Sequence, residues 1–270
     1  MPYASVNGLG MYYETHGDGA PLVLLHGALS AIGTSFGTVL PGLARSRQVI
    51  AVEMQAHGRT ADIDRPLTLR QMAEDTAALL LHLGVESADV FGYSLGAGVA
   101  VELAIRHPEL VRRLVAASVT YSVEGFHPGM VEGMDALQPE QLAGTPFAQE
   151  YASIAPNPGD WPALIAKLKE LNKHLDGWSP EAVRGIQAPT LLVFGDSDIV
   201  RPEHAVEMFR LLGGGVNGDV AGLPRSQLAV LPATTHIGVM FRDAWLVSMV
   251  EAFLDAPTPV STPDDSGGFR

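Results

Sequence analysis

Gly92-Tyr93-Ser94-Leu95-Gly96 lies between an apolar run, Ala88-Asp89-Val90-Phe91, and a helical run from Leu95 to His107. A serine between two such glycines, at a strand-to-helix reversal, can act as a nucleophile because the turn lifts its hydroxyl clear of the backbone. The chain must reverse within a few atoms, which forces Ser94 into a strained conformation. Glycines two residues to either side remove Cβ atoms that would strike the neighbouring strand and helix. The hydroxyl then stands at the carboxyl edge of a sheet, near the positive end of the helix dipole. A serine is a poor nucleophile alone, so this chemistry requires a base to take its proton and an acid to orient the base. A Gly-Ser turn without chemistry would fit the same letters, and the flanking strand and helix are what favour the nucleophile.

On a turn of this kind the acid and the histidine follow the serine, each after a later strand. Of nine histidines, His204 and His236 lie beyond the candidate acid. His204 falls inside the helical run Pro202–Leu212 and reads as a solvated surface residue. His236 follows the strand Gln227–Leu231 after the loop Pro232-Ala233-Thr234-Thr235, from which an imidazole can reach the sheet edge. For the acid, Gly195-Asp196-Ser197-Asp198 follows a strand ending at Phe194. Asp198, further into the loop, is better placed to hold the His236 ring, whereas Asp196 suits shaping the turn through local backbone bonds. The oxyanion hole needs two N–H donors. Leu95 at the helix start supplies one, and Ala28, in His26-Gly27-Ala28 after the Leu22–Leu25 strand, is the candidate for the other. His26 precedes the nucleophile and reads as a brace for that loop.

The elements that must position these groups are legible as an alternation. Tyr3–Val6 and Gly10–Glu14 alternate in polarity around Asn7-Gly8, a hairpin dipeptide. Apolar runs at Pro21–Leu25, Val49–Val52, Ala88–Phe91, Arg113–Ala117 and Pro189–Phe194 have the character of strands buried on both faces. Helical patterns at Ile32–Leu43, Leu69–Leu83, Leu95–His107, Pro202–Leu212 and Val239–Leu254 separate them. This rhythm predicts an α/β fold with a mainly parallel sheet. It breaks between Tyr121 and Ile186, where candidate helices lie at Pro139–Ala143 and Trp161–His174. The expected organisation is a core of residues 1–120 and 187–256, a helical cap insertion over 121–186, and a disordered tail over 257–270. The loop Gly213–Arg225, with five glycines, reads as flexible.

Composition narrows the function classes. The chain has 270 residues, 47% apolar and 17% charged, which describes a globular protein. Its formal charge of −13 makes nucleic acid and anionic membranes poor partners. With no cysteine, disulfides, thiolate nucleophiles and Cys-based metal sites are excluded. The start of the chain lacks a basic segment followed by an apolar one, and no run approaches a membrane span, so cytoplasmic residence is the expectation.

Together these residues resemble the α/β-hydrolase superfamily, specifically its small capped bacterial esterase and carbon–carbon hydrolase branch. The resemblance spans Val23 to Leu254 through His26-Gly27, Ala56-His57-Gly58-Arg59-Thr60, the turn around Ser94, Gly195-x-x-Asp198 and Leu231-Pro232-x-x-Thr235-His236. It implies an eight-stranded sheet with a helical cap after the sixth strand. Glu53 stands where a shorter acid is more usual, and Ala97 where a third glycine is common. A serine nucleophile argues against the dehalogenases and epoxide hydrolases of this fold, which use aspartate.

The implied reaction is acyl transfer through Ser94, His236 and Asp198 without metal or organic cofactor, on a small-molecule ester or lactone. Tyr121, Phe126, Met130, Trp161 and Trp178, with Met134, Phe147 and Tyr151, are candidates for an apolar substrate pocket, although most could instead pack the cap onto the sheet. One alternative is carbon–carbon hydrolysis of a ring-cleavage diketone, which needs cations such as Lys167, Lys169 or Arg184 facing inward. Another is a ligand-binding protein that has lost turnover.

Overall fold

The computed structural model describes residues 2–257, so the tail expected to be disordered lies outside the described residues from position 258. Eight strands form one sheet: β1 (Tyr3–Val6), β2 (Leu9–His16), β3 (Ala20–Leu25), β4 (Arg47–Glu53), β5 (Ala88–Tyr93), β6 (Val111–Ala117), β7 (Thr190–Ser197) and β8 (Gln227–Thr235). Their order is β1-β2-β4-β3-β5-β6-β7-β8. Asn7 and Gly8 both take positive φ, 48° and 81°, which is what a two-residue hairpin between β1 and β2 demands. β2 pairs antiparallel with β1 and β4, and the remaining pairs are parallel.

Helices α1 (Ile32–Phe36), α2 (Leu40–Leu43), α3 (Leu69–His82), α4 (Leu95–Arg106), α5 (Met130–Ala136), α6 (Pro146–Ile154), α7 (Trp161–Lys173), α8 (Pro180–Arg184), α9 (Pro202–Leu211), α10 (Gly218–Ala221) and α11 (Asp243–Asp255) surround the sheet. Strand side chains alternate between the two faces, and so divide the core in two. Val23, Leu25, Ile50 and Val90 share a cluster with Met72 and Leu79 of α3, Val99 and Leu103 of α4, and Met208 of α9. Leu22, Leu24, Val49 and Phe91 share the other with Phe36 of α1, Leu43 of α2, and Val250 and Phe253 of α11.

Several boundaries differ from the sequence expectation, among them the end of β7, which runs on from Phe194 to Ser197. Ile32–Leu43 is two short helices, because Pro41 has no N–H to continue a single one. Pro232–Thr235 is strand rather than loop. β8 is the sheet's edge, where a proline is tolerated, and Thr235 pairs with Ser197. Val239–Leu254 divides into a 3₁₀ turn, Ile237–Phe241, and α11. The glycine-rich stretch 213–225 also holds the short helix α10.

Between β6 and β7 the described residues form α5 to α8 and short 3₁₀ turns, with an isolated bridge from Phe126 to Val200. Side-chain ties hold these helices over the core. The Glu150 carboxylate of α6 accepts the Thr34 N–H at 3.1 Å. Lys167 of α7 donates to Ile63 O and Arg65 O at 2.9 Å each and pairs with Asp62 at 2.6 Å. Trp178 Nε1 donates to Glu102 Oε2 of α4 at 2.6 Å.

Candidate active site

β5 ends in Tyr93 and α4 begins at Leu95, so Ser94 alone makes the reversal, at φ 53° and ψ −117°. A β-carbon built on Gly92 would lie 2.2 Å from Gly96 O, and one on Gly96 would lie 2.0 Å from Leu25 O. Neither glycine can carry a side chain without driving β5, α4 and the end of β3 apart. The Ser94 N–H donates to Ala117 O at 2.9 Å, which fastens the turn to β6.

The structure brings Ser94, His236 and Asp198 together from the ends of three strands. Ser94 Oγ is 3.0 Å from His236 Nε2, and His236 Nδ1 is 2.8 Å from Asp198 Oδ1. The Asp198 carboxylate is saturated with donors: Ile199 N–H at 2.8 Å on Oδ1, Ser118 Oγ at 2.6 Å and Gly195 N–H at 3.2 Å on Oδ2. Burial would raise its pKa, but the hydrogen bonds from His236, Ser118 and Gly195 hold it below the ordinary carboxylate value. An anionic Asp198 fixes the proton of His236 on Nδ1 and leaves Nε2 free to accept from Ser94. Ser118, at positive φ after β6, was not anticipated, since a serine beyond a strand end carries no signature of its own. Asp196 points elsewhere. It accepts the N–H groups of Ala233 (2.8 Å) and Thr234 (3.0 Å), so it ties the end of β7 to the neighbouring edge strand β8 rather than shaping its own turn. Gly195 permits that approach, since a β-carbon there would lie 2.1 Å from Thr234 O.

Two candidate backbone donors border the same cavity. Ala28 and Leu95 both line the cavity that Ser94 enters, and among the described residues neither N–H donates to a protein oxygen. The loop that carries Ala28 is braced by His26, whose Nε2 accepts the Met54 N–H at 3.0 Å while Nδ1 lies 2.8 Å from Gly27 O. Full burial, with His57 beside it, lowers the His26 pKa to about 3 and keeps the ring neutral. His204 departs from expectation. It is buried, and its Nε2 accepts the Tyr121 N–H at 3.2 Å and meets Thr120 Oγ1 at 2.7 Å, so it locks the corner after β6. Its position inside a helical run did not reveal that it shares the buried face with Ala205 and Met208.

The cavity above Ser94 has a volume of about 130 Å³ and a mostly apolar wall that includes Phe126, Met134, Leu168, Leu171 and Trp178. Of the aromatic and methionine candidates, Phe126, Met134 and Trp178 reach it. Tyr121, Met130 and Trp161 do not line it. Tyr121 stacks on His204 at 4.4 Å, and Trp161 packs on Tyr151 at 5.1 Å. No lysine, arginine or histidine is among the lining residues. Lys167 is spent on the 62–65 loop, and Arg184 pairs with Glu181 at the surface. Beyond Leu69, Leu171, Leu175 and Trp178 lies a separate groove of about 730 Å³ bearing Arg65, Arg70 and Glu102. Ser94 does not reach it.

The family profile described as alpha/beta hydrolase fold matches residues 20–158, more than half of the chain. A proposed carbamate hydrolase, RutD, of Azorhizobium caulinodans is 35% identical over 221 residues, covering 76% of this chain and 83% of that protein. A 2-hydroxymuconate semialdehyde hydrolase of a Pseudomonas species is 30% identical over 209 residues, covering 69% of this chain and 73% of its own. Among solved structures, the meta-cleavage product hydrolase CumD of Pseudomonas fluorescens superposes with a TM-score of 0.76 over 94% of this chain and 97% of that one. At 19% identity this is a likeness of fold.

Proposed function

The chain belongs to the α/β-hydrolase family, and on that premise we propose that it is a serine hydrolase cleaving small carboxylic esters through an acyl-enzyme at Ser94. The observation that carries this reading is the unbroken relay from Ser94 Oγ through His236 to Asp198 at the floor of a chamber without cationic side chains. His236 Nε2 takes the hydroxyl proton as Oγ attacks the ester carbonyl. The developing oxyanion is met by the N–H groups of Ala28 and Leu95. Collapse expels the alcohol, which leaves with the proton from His236. Water then gives a proton to the same nitrogen as it attacks the acyl carbonyl, and collapse releases the carboxylic acid while His236 returns that proton to Ser94 Oγ.

Chamber size and lining set the substrate class. About 130 Å³ is close to the roughly 150 Å³ apolar cavity that accommodates benzene, which corresponds to an acyl group of about four to six carbons. A carboxylate there would be desolvated without a counter-charge, a cost that favours neutral esters over acidic diketones. We read residues 121–186 as the cap that closes the chamber, because Leu168 and Leu171 come from its helix α7.

The test is a panel of p-nitrophenyl acetate, butyrate and octanoate, a lactone, and an acidic ring-cleavage diketone, run on wild type and Ser94→Ala. Turnover of the short esters that disappears in Ser94→Ala supports the reading. Preference for the diketone assigns carbon–carbon cleavage instead, and binding without turnover of any substrate indicates a receptor.

A further inference from the structure

Helix α7 places a carboxamide, that of Asn172, in the wall of the mostly apolar chamber. Asn172 lies four residues after Leu168, so the two share a helix face, and both line the cavity with Leu171 between them. The chamber's hydroxyl groups already have partners: Ser94 with His236, Ser118 with Asp198, Thr120 with Ser122 O and His204, and Ser122 with Glu124. Asn172 does not. Its Nδ2 meets Met134 Sδ at 3.7 Å, a weak acceptor, and its Oδ1 has no hydrogen-bond partner among the described residues. Nor is Oδ1 among the unpartnered polar atoms sealed from solvent, so it opens onto accessible space.

A carboxamide whose oxygen finds no protein partner is left to hydrogen-bond water or a ligand that displaces it, a role leucine could not fill. We propose that Asn172 is a specificity-determining residue that hydrogen-bonds a neutral donor–acceptor group, a hydroxyl or amide, on the acyl part of the substrate. The carboxamide both donates and accepts, which matches such a group. With no cation lining the chamber, a carboxylate at the same place would have no counter-charge. The inference rests on the acyl-enzyme at Ser94 and narrows its substrate from plain short-chain esters to hydroxy- or amido-acyl esters. A site built to bond a hydroxyl discriminates sharply against the analogue lacking it, because its polar groups are then left unpaired.

The experiment compares kcat/KM for p-nitrophenyl 3-hydroxybutyrate and p-nitrophenyl butyrate in wild type, Asn172→Leu and Asn172→Ala. Wild type prefers the hydroxy ester, and both variants lower that preference about tenfold, the worth of one hydrogen bond. The readout is the ratio between the two esters, not the absolute rate on butyrate. An unchanged ratio, or a parallel fall on both esters, gives Asn172 a structural role and overturns the proposal. A wild type that hydrolyses neither ester and acquires no acyl group at Ser94 overturns the acyl-enzyme reading itself, so the two failures are distinguishable.

Discussion

Asp198→Asn removes a charge from the relay without changing the side chain's volume. The carboxylate accepts four donors, two on each oxygen: His236 Nδ1 and Ile199 N–H on Oδ1, Ser118 Oγ and Gly195 N–H on Oδ2. An asparagine has one oxygen, so either orientation turns its NH₂ toward a backbone N–H. With the oxygen toward His236, the conflict is with Gly195 at 3.2 Å, and the imidazole keeps its tautomer but loses its counter-charge. At a separation near 4 Å and an effective dielectric of about 20, that attraction is worth about 4 kcal/mol, or roughly 10³-fold in rate. With the NH₂ toward His236, the ring proton moves to Nε2 and faces Ser94, and the comparable swap in a serine protease costs about 10⁴-fold. The expected fall in kcat is therefore about 10³- to 10⁴-fold, with KM little changed. Asp196→Asn is the paired control. Its carboxylate is exposed and touches only Ser197 and the backbone of β8, so activity should fall less than about tenfold. Initial rates on p-nitrophenyl butyrate, with thermal melts to verify folding, decide the matter. A larger loss in Asp196→Asn, or an Asp198→Asn enzyme within tenfold of wild type, refutes the reasoning.

Two further outcomes follow from the packing. Gly96→Ala forces a β-carbon to within 2.0 Å of Leu25 O, so it should lower Tm by several degrees or abolish soluble expression, whereas Gly133→Ala, with nothing within 4 Å, should do neither. Glu53 is buried, and desolvation raises its carboxyl pKa to about 7 despite the bonds from Arg59. Because the folded state then holds a proton that the unfolded chain releases near pH 4.5, the stability Glu53 contributes relative to glutamine is greatest below that pH. It declines as pH rises toward 7, by a few kcal/mol in all. Melting curves of wild type and Glu53→Gln across pH 4.5 to 8 should diverge in that sense, and parallel curves would contradict it.

The fold was legible because each strand that supports the site is an apolar run bounded by turn residues, and parallel crossovers leave few ways to connect them. That Ser94, Asp198 and His236 lie near one rim was legible for a related reason, since each comes just beyond an apolar run, although β7 and β8 extend past those runs to Ser197 and Thr235. The surroundings were not. Ser118 holds Asp198 through a contact across 80 positions that no spacing announces. His204 read as solvated because histidine is polar, yet it lies one turn before Met208 on the buried face of α9 and stacks against Tyr121. Aromatic residues in 121–186 all read as pocket candidates because side-chain type records apolarity and not direction. Two of the five main candidates, Phe126 and Trp178, reach the cavity, while Tyr121, Met130 and Trp161 pack elsewhere. Asn172 escaped notice because an amide on an amphipathic helix is unremarkable until its neighbours are known to be a cavity wall.

The most direct measurement is the mass of the protein quenched in acid during turnover of p-nitrophenyl butyrate, followed by peptide mapping. The account predicts one butyryl group, carried on the peptide containing Ser94 and absent from Ser94→Ala. Turnover with no acylated protein, or an acyl group on any other residue, would contradict it.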